Sequence, residues 1–171
     1  MTRPAVDVVV PFGGGALGPV LRWAGALERG DGDTVTIVDN RERPEDVAMV
    51  PPGVRLVAAG AIASSYYARN AGARLGRAPW ILFLDADVEP PADLLDRLFT
   101  PAPGERTGVL AGEILDEEPP PGAPVAVRYA WLKRSMSQAG LAEGFAQTAH
   151  CAVRREAFEA AGGFREAVRS G

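Results

Sequence analysis

The sequence predicts an α/β fold built on a mostly parallel sheet, and three observations lead there. Across the first hundred residues strand-like and helix-like segments alternate, the order that right-handed crossovers produce. The run Trp80-Ile81-Leu82-Phe83 is continuously apolar, as a parallel strand covered on both faces should be. Directly behind it stands Leu84-Asp85-Ala86-Asp87, two carboxylates at the carboxyl end of a strand, where open α/β sheets bind ligands.

Taken in order, Val6 to Pro11 reads as the first strand and Gly13 to Gly18 as a turn. Pro19 suits the first position of a helix running to about Glu28. Asp31-Gly32-Asp33 turns the chain into a second strand, Thr34 to Val38, ending at Asp39. After a proline-rich loop, Val54 to Ala58 forms the third strand, and Ser64 caps a helix from about Ser65 to Leu75. The Trp80 to Leu84 strand follows, then a short helix from Ala92 to Phe99. Beyond residue 100 the pattern loosens. Thr107 to Leu115 and Phe145 to Arg154 read as strands, Arg155 to Ala161 as a helix, and Gly162-Gly163-Phe164 as its end. Val125 to Gln138 mixes strand and helix patterns and gets no assignment.

At 171 residues the chain is expected to be a single domain, residues 1–100 forming one half and 101–171 the other. A net charge of −4 offers no basic surface for nucleic acid. The single Cys151 precludes an intramolecular disulfide, and the single His150 precludes a His/Cys zinc cluster. His150 and Cys151 are expected to be buried structural residues, and Trp131 a core aromatic. No apolar run reaches transmembrane length, so the expected location is cytoplasmic.

Two motifs compete for the site. Asp85 and Asp87, left unpaired at a buried strand end, are costly unless a cation meets them, and a divalent metal bringing a phosphorylated ligand answers that cost. Solvated loop carboxylates capping the next helix are the plainer reading. Gly13-Gly14-Gly15-Ala16-Leu17-Gly18 fits Gly-x-Gly-x-x-Gly, with Asp39 twenty-one residues beyond Gly18, the arrangement of an NAD(P)-binding oxidoreductase. Three consecutive glycines satisfy that pattern almost automatically.

Four segments together resemble the nucleotide-binding half of a family 2 glycosyltransferase. They are Val8-Val9-Val10-Pro11-Phe12, Thr36-Ile37-Val38-Asp39-Asn40, Ala68-Arg69-Asn70-Ala71-Gly72 and Phe83-Leu84-Asp85-Ala86-Asp87. Thr148 to Phe164 is similar to the family's later strand–helix unit ending in Gly-Gly-Phe. The resemblance implies a GT-A fold, a Rossmann-like sandwich, and a metal-dependent, inverting transfer from a nucleotide-diphospho-sugar, expected to be UDP-linked, to an acceptor hydroxyl. It implies that Pro11 and Phe12 line the base pocket and that Asp39 bonds the base, with a turn cap as its plain alternative. It places Arg69 near the nucleotide, with a surface helix arginine as the alternative. Asp85 would face ribose and metal, and Asp87 would ligate Mg²⁺ or Mn²⁺. Partners would be the donor and an acceptor of open class (glycan, lipid or small molecule), with no nucleic acid and with homo-oligomers allowed. The family's general base falls after Gly-Gly-Phe, so it is expected beyond Gly171, which makes a non-catalytic sugar-nucleotide-binding module a further alternative. Apolar surface from Cys151 to Phe164 is then expected to be exposed.

Overall fold

The computed structural model describes residues 3–44, 49–134, 138 and 144–167. The strands are β1 (Val6–Phe12), β2 (Thr34–Asp39), β3 (Val54–Ala58), β4 (Trp80–Leu84), β5 (Val109–Ala111) and β6 (His150–Arg154). The helices are α1 (Leu17–Ala26), α2 (Ser65–Ala73), α3 (Leu94–Leu98), α4 (Val125–Leu132) and α5 (Arg155–Ala160). The strands form one sheet in the order β3-β2-β1-β4-β6-β5. β3, β2, β1 and β4 pair in parallel, and β6 runs antiparallel to both β4 and β5.

Alternation of side chains across the pleat divides the core in two. On one face Val6, Val8, Val10 and Phe12 pack with Leu17, Val20, Leu21 and Ala24 of α1 and Leu94 and Leu95 of α3. On the other face Val9, Val38, Ile81 and Phe83 pack with Ala68 and Ala73 of α2, and Phe158 and Phe164 lean on them. α2 approaches closely because Gly72 faces the sheet: a Cβ there would stand 2.5 Å from Val9 Cγ1 and 2.9 Å from Val38 Cγ2.

The first hundred residues match the expected element order, with boundary shifts. α1 begins at Leu17, so Pro19 falls in the first turn rather than at its first position, which is tolerated because first-turn amides lack helical partners. In the second half the strands are shorter than the apolar pattern indicated, Val109–Ala111 and His150–Arg154, because a β-like pattern persists beyond the point where partners end. Val125–Leu132 is a helix with no buried residue. Trp131, on that helix, is half-buried rather than a core aromatic. Residues 135–137 of the unassigned stretch, and the end of the chain at Gly171, lie outside the described residues. Among the described residues, exposed apolar side chains include Val125, Val127, Tyr129 and Leu132 on α4, with Leu115, Met49, Val109 and Phe145 elsewhere. The expected exposure around Cys151 to Phe164 is not found there, since Cys151 and Ala152 are buried and Phe158 and Phe164 pack on Phe83. Among the described residues no helix is long and apolar enough to cross a membrane.

A buried polar node holds the amino-terminal edge of the sheet. Asp7, 2% exposed, accepts hydrogen bonds from Thr34 Oγ1 at 2.6 Å, Ala78 N at 2.8 Å and Arg155 Nη2 at 2.6 Å. Arg155 also donates to the carbonyls of Ala73 and Ala78. Gly76 is required beside it, because an added Cβ would overlap the Asp7 carboxylate. Arg155→Ala leaves that carboxylate buried and uncompensated and should cost about 3–5 kcal/mol. Equilibrium denaturation reads this directly; a loss below about 1 kcal/mol would show that the node is not structural.

Candidate functional site

β1, β2 and β4 run parallel and end at the same edge, which brings the predicted residues together. Phe12 lies opposite Asp39 in the β1–β2 ladder, and Val9 opposite Phe83 in the β1–β4 ladder. Continuing that second register puts Asp85 at the level of Pro11. Strand order reverses between β1 and β4, so the crevice outside their carboxyl ends is the switch point where doubly wound sheets bind ligands. Pro11, Phe12, Asp39 and Asp85 all border it.

Asp39 is almost wholly buried, its side chain 2% exposed. Arg41 grips both its oxygens: Nε donates to Oδ1 at 2.9 Å and Nη2 to Oδ2 at 2.7 Å, and the Arg41 amide donates to Oδ1 at 3.1 Å. The same guanidinium lies 4.9 Å from the centre of the Phe12 ring. Burial opposes the charged form of Asp39, but the Arg41 hydrogen bonds and charge outweigh it and hold the carboxyl below its ordinary range. The pair therefore contributes fully above the ordinary carboxylate pKa and loses its contribution as pH falls through the lowered one. Next in sequence, Asn40 Nδ2 donates to the carbonyls of Ala59 and Ile62, and Asn40 Oδ1 accepts from Ser64 N. This fixes the start of α2 against the end of β2.

Arg69 is not a surface helix residue. It is 4% exposed, and its Nη2 donates to Asp85 Oδ1 at 2.6 Å across the α2–β4 junction. Its Nη1 donates to Ser65 Oγ, while among the described residues its buried Nε has no hydrogen-bond partner. The guanidinium sits beside a parallel stack of Tyr66 on Phe164, ring centres 5.2 Å apart, within about 6 Å of both. Asn70 holds Phe164 in place: its Nδ2 donates to Phe164 O at 2.8 Å and its Oδ1 accepts from Phe164 N at 2.9 Å. Gly163, with φ +72°, lets the chain turn into that contact. Glu166 closes the latch by accepting from Asn70 Nδ2 and Arg74 Nη2, bonds that lower its pKa.

Asp87 is exposed and makes no ion pair among the described residues. It borders a cleft of about 1100 Å³, together with Glu89, Glu113, Asp116, Arg97 and His150. His150 Nδ1 lies 3.3 Å from the Glu113 carbonyl, so it is the nitrogen suited to carry the proton. Burial lowers the His150 pKa, with that hydrogen bond acting in the opposite direction. Burial lifts the Cys151 thiol to about 11 despite the Arg69 charge, so it is inert at neutral pH. Cys151 fits the buried structural role expected of it, whereas His150 is half-buried at the cleft.

The glycine-rich turn does not meet the demands of a dinucleotide fingerprint. Gly18 lies inside α1, and nothing stands within 4 Å of a Cβ at Gly13, Gly14, Gly15 or Gly18. Only Gly15, at φ +86°, needs to be glycine. No close helix–strand approach depends on the third glycine, which is the role that position has in the fingerprint.

The fold is an open α/β sheet with carboxylates at its switch point, and comparison with known proteins specifies the family. The family model for glycosyl transferase family 2 matches residues 27–162, and the chain belongs to that family. Among solved structures it is similar to the mannosyltransferase PcManGT from Pyrobaculum calidifontis in complex with GDP-Man and Mn²⁺, at 19% identity and a TM-score of 0.63. It is also similar to S. aureus TarS 1-349, at 12% identity and a TM-score of 0.58. The matches cover 98% of this chain but 49% and 52% of those structures, so the chain spans about half their length. At such identities the likeness establishes the GT-A fold alone. No curated protein matches the chain.

The sequence pattern gave no role to Arg41, Asn40 or Asn70, or to Phe164 beyond its Gly-Gly-Phe unit. Asn70 and Phe164 form a contact across 94 residues, invisible to local periodicity. Asn70→Ala should cost about 1–3 kcal/mol by stranding the Phe164 backbone groups. It should also weaken the near-ultraviolet circular dichroism of the Tyr66–Phe164 stack, and an unchanged spectrum would show that the latch does not hold the stack.

Proposed function

We propose that this chain supplies the donor-binding part of a metal-dependent, inverting glycosyltransferase, with residues 1–100 as the nucleotide-binding half and 101–171 as part of the acceptor side. The reading is supported by one observation above all: Pro11, Phe12, Asp39 and Asp85 stand at one edge of the sheet beside its switch point, and Asp87 follows two residues after Asp85. Pro11 and Phe12 line the base pocket, Asp39 and Arg69 serve the nucleoside, Asp85 faces ribose and metal, and Asp87 ligates Mg²⁺ or Mn²⁺.

The donor set fits such an ion only as one shared with phosphates. Among the described residues no three His, Cys, Asp or Glu side chains form a cage. Hard divalent ions of this kind commonly take one or two carboxylates and complete their shell with water and substrate phosphates. Asp87, exposed at the cleft, is available for this, whereas Asp85 is engaged by Arg69 and acts as a positioned neighbour. A bound ion would supply Lewis-acid stabilisation of the departing diphosphate. The chain's own share is to place the nucleoside, hold Asp85 through Arg69, and present the anomeric carbon to the cleft. There an acceptor hydroxyl must lose its proton to a base on the opposite face. Glu166 is excluded from that task by its bonds to Asn70 and Arg74, and Glu113 and Asp116 border the cleft. The donor is proposed to be a UDP-sugar. A GDP-sugar is the competing donor, since GDP-Man is what the mannosyltransferase structure holds.

Calorimetric titration of UDP and GDP in Mn²⁺ and in EDTA tests the reading. Mn²⁺ should raise affinity about tenfold or more, roughly 1.4 kcal/mol. Asp87→Ala should erase that gain and leave binding in EDTA unchanged. Equal affinities with and without metal, or tight NAD(H) binding lost on substituting Gly13 and Gly15, would overturn it.

A further inference from the structure

We infer that α4 rests on an anionic lipid surface, its apolar stripe dipped between the headgroups and its cations set against their phosphates. The inference goes beyond the donor-site reading and does not rest on it, because it uses no residue placed at that site.

Three observations lead here. Seven of the eight residues of α4 are apolar or aromatic, yet none is buried. Val125, Tyr129 and Leu132, at i, i+4 and i+7, form one stripe along the helix and are 82%, 60% and 69% exposed. Val127 and Trp131 turn away from that stripe and are more covered. The third observation is charge. At 3.6 residues per turn the exposed Arg128 falls along one side of the stripe and the exposed Lys133 along the other. Lys133 Nζ lies 5.4 Å from the centre of the Tyr129 ring. Arg134 adds a further cation, and no acid occurs between Glu118 and Glu143, in a chain whose net charge is −4.

Single exposed apolar side chains are ordinary, but a stripe of them bordered on both sides by cations is the layout of a helix lying in a membrane interface. At about 12 Å, α4 is far too short to cross a bilayer, so it lies in the plane. The stems of Arg128 and Lys133 can follow the stripe inward while their charged heads stay with the phosphates. Tyr129 suits the same depth, with its ring among acyl chains and its hydroxyl at headgroup level. A second copy is the poorer occupant. Pairing two α4 stripes sets Arg128 and Lys133 of both copies together, and like charges oppose that contact. One helix of this length also falls well short of the about 800 Å² per partner found in stable interfaces. Anionic headgroups turn the same cations from a cost into an attraction.

The test is co-sedimentation of the whole chain with vesicles of phosphatidylcholine alone and of phosphatidylcholine with about one-third phosphatidylglycerol. Wild type is compared with Arg128→Ala/Lys133→Ala, with Leu132→Ser, and with Arg22→Ala, which removes an exposed charge from α1 instead. Thermal unfolding checks that each variant folds. Wild type should bind the phosphatidylglycerol vesicles at least about tenfold more strongly, and the preference should vanish near 1 M salt. Arg128→Ala/Lys133→Ala should lose about 25-fold, roughly fivefold for each cation. Leu132→Ser should lose about 10- to 100-fold, the value of one buried leucine, and Arg22→Ala should bind like wild type. Equal binding to both vesicles would overturn the inference, as would a loss in Arg22→Ala matching that of the α4 variants. Failure to bind either vesicle would overturn it too. If that failure came with concentration-dependent dimers abolished by Leu132→Ser, the stripe would belong to a contact between copies.

Discussion

The Asp7–Arg155 pair is the interaction on which the geometry of this domain depends. Asp7 is in the central strand, and its three donors come from β2, from the turn before β4 and from the start of α5. A buried carboxylate with three donors is stable only where all three are in place together. That condition fixes β2, β4 and the β6–α5 junction against β1 at the amino-terminal edge. Register is then inherited at the opposite edge, because parallel strands carry it along their length. Phe12 lies level with Asp39, and Asp85 with Pro11, as a consequence of contacts on the far side of the sheet.

At the functional edge, charge is divided between closed and open groups. Asp39 and Asp85 each face an arginine from the nearest loop or helix, Arg41 and Arg69, and both pairs are backed by aromatic rings. Asp87 is exposed and makes no such pair among the described residues. Arg41 holds Asp39 with a fork and Arg69 gives Asp85 a single charged bond, so both carboxylates have a partner without a ligand. The exposed one remains in water at little cost, and on the proposed reading a cation shared with phosphates would replace that water. The arrangement separates residues that shape the site from one suited to respond to metal.

The first hundred residues were legible because their signals are local. A continuous apolar run marks β4 and valine-rich runs mark β1 and β2, with turn residues delimiting them, so the strand ends bearing Pro11, Asp39 and Asp85 could be placed on one edge. The second half was less so. β5 has only three residues, and β6 starts five residues later than its apolar pattern. α4 is apolar without being buried, a combination that periodicity cannot separate from a core element. The carboxylates were found because acids at a strand end conflict with burial. Arg69 was harder to read, since an arginine in a helix is ordinarily a surface residue and only tertiary contact reveals its partner.

Two of the motifs, Ala68 to Gly72 and Gly162 to Phe164, become one physical unit in the fold. Gly72 lets α2 lie against Val9 and Val38, which aims Arg69 at Asp85. Asn70 spends both ends of its amide on the backbone of Phe164, and Gly163 supplies the left-handed turn that brings this backbone within reach. Phe164 then stacks on Tyr66 and contacts Phe83, filling the side of the guanidinium that α2 leaves uncovered. Each residue of the pair of motifs has a task that its neighbours in sequence cannot perform. Glycine permits approach, asparagine offers a donor and an acceptor on one short side chain, and phenylalanine supplies an apolar face beside a buried cation. The cation in turn holds Asp85 at the end of β4. A chain of contacts thus runs from the last helix to the acidic tetrad, and the separation of these motifs in sequence reflects how far the chain must travel before it can close that path.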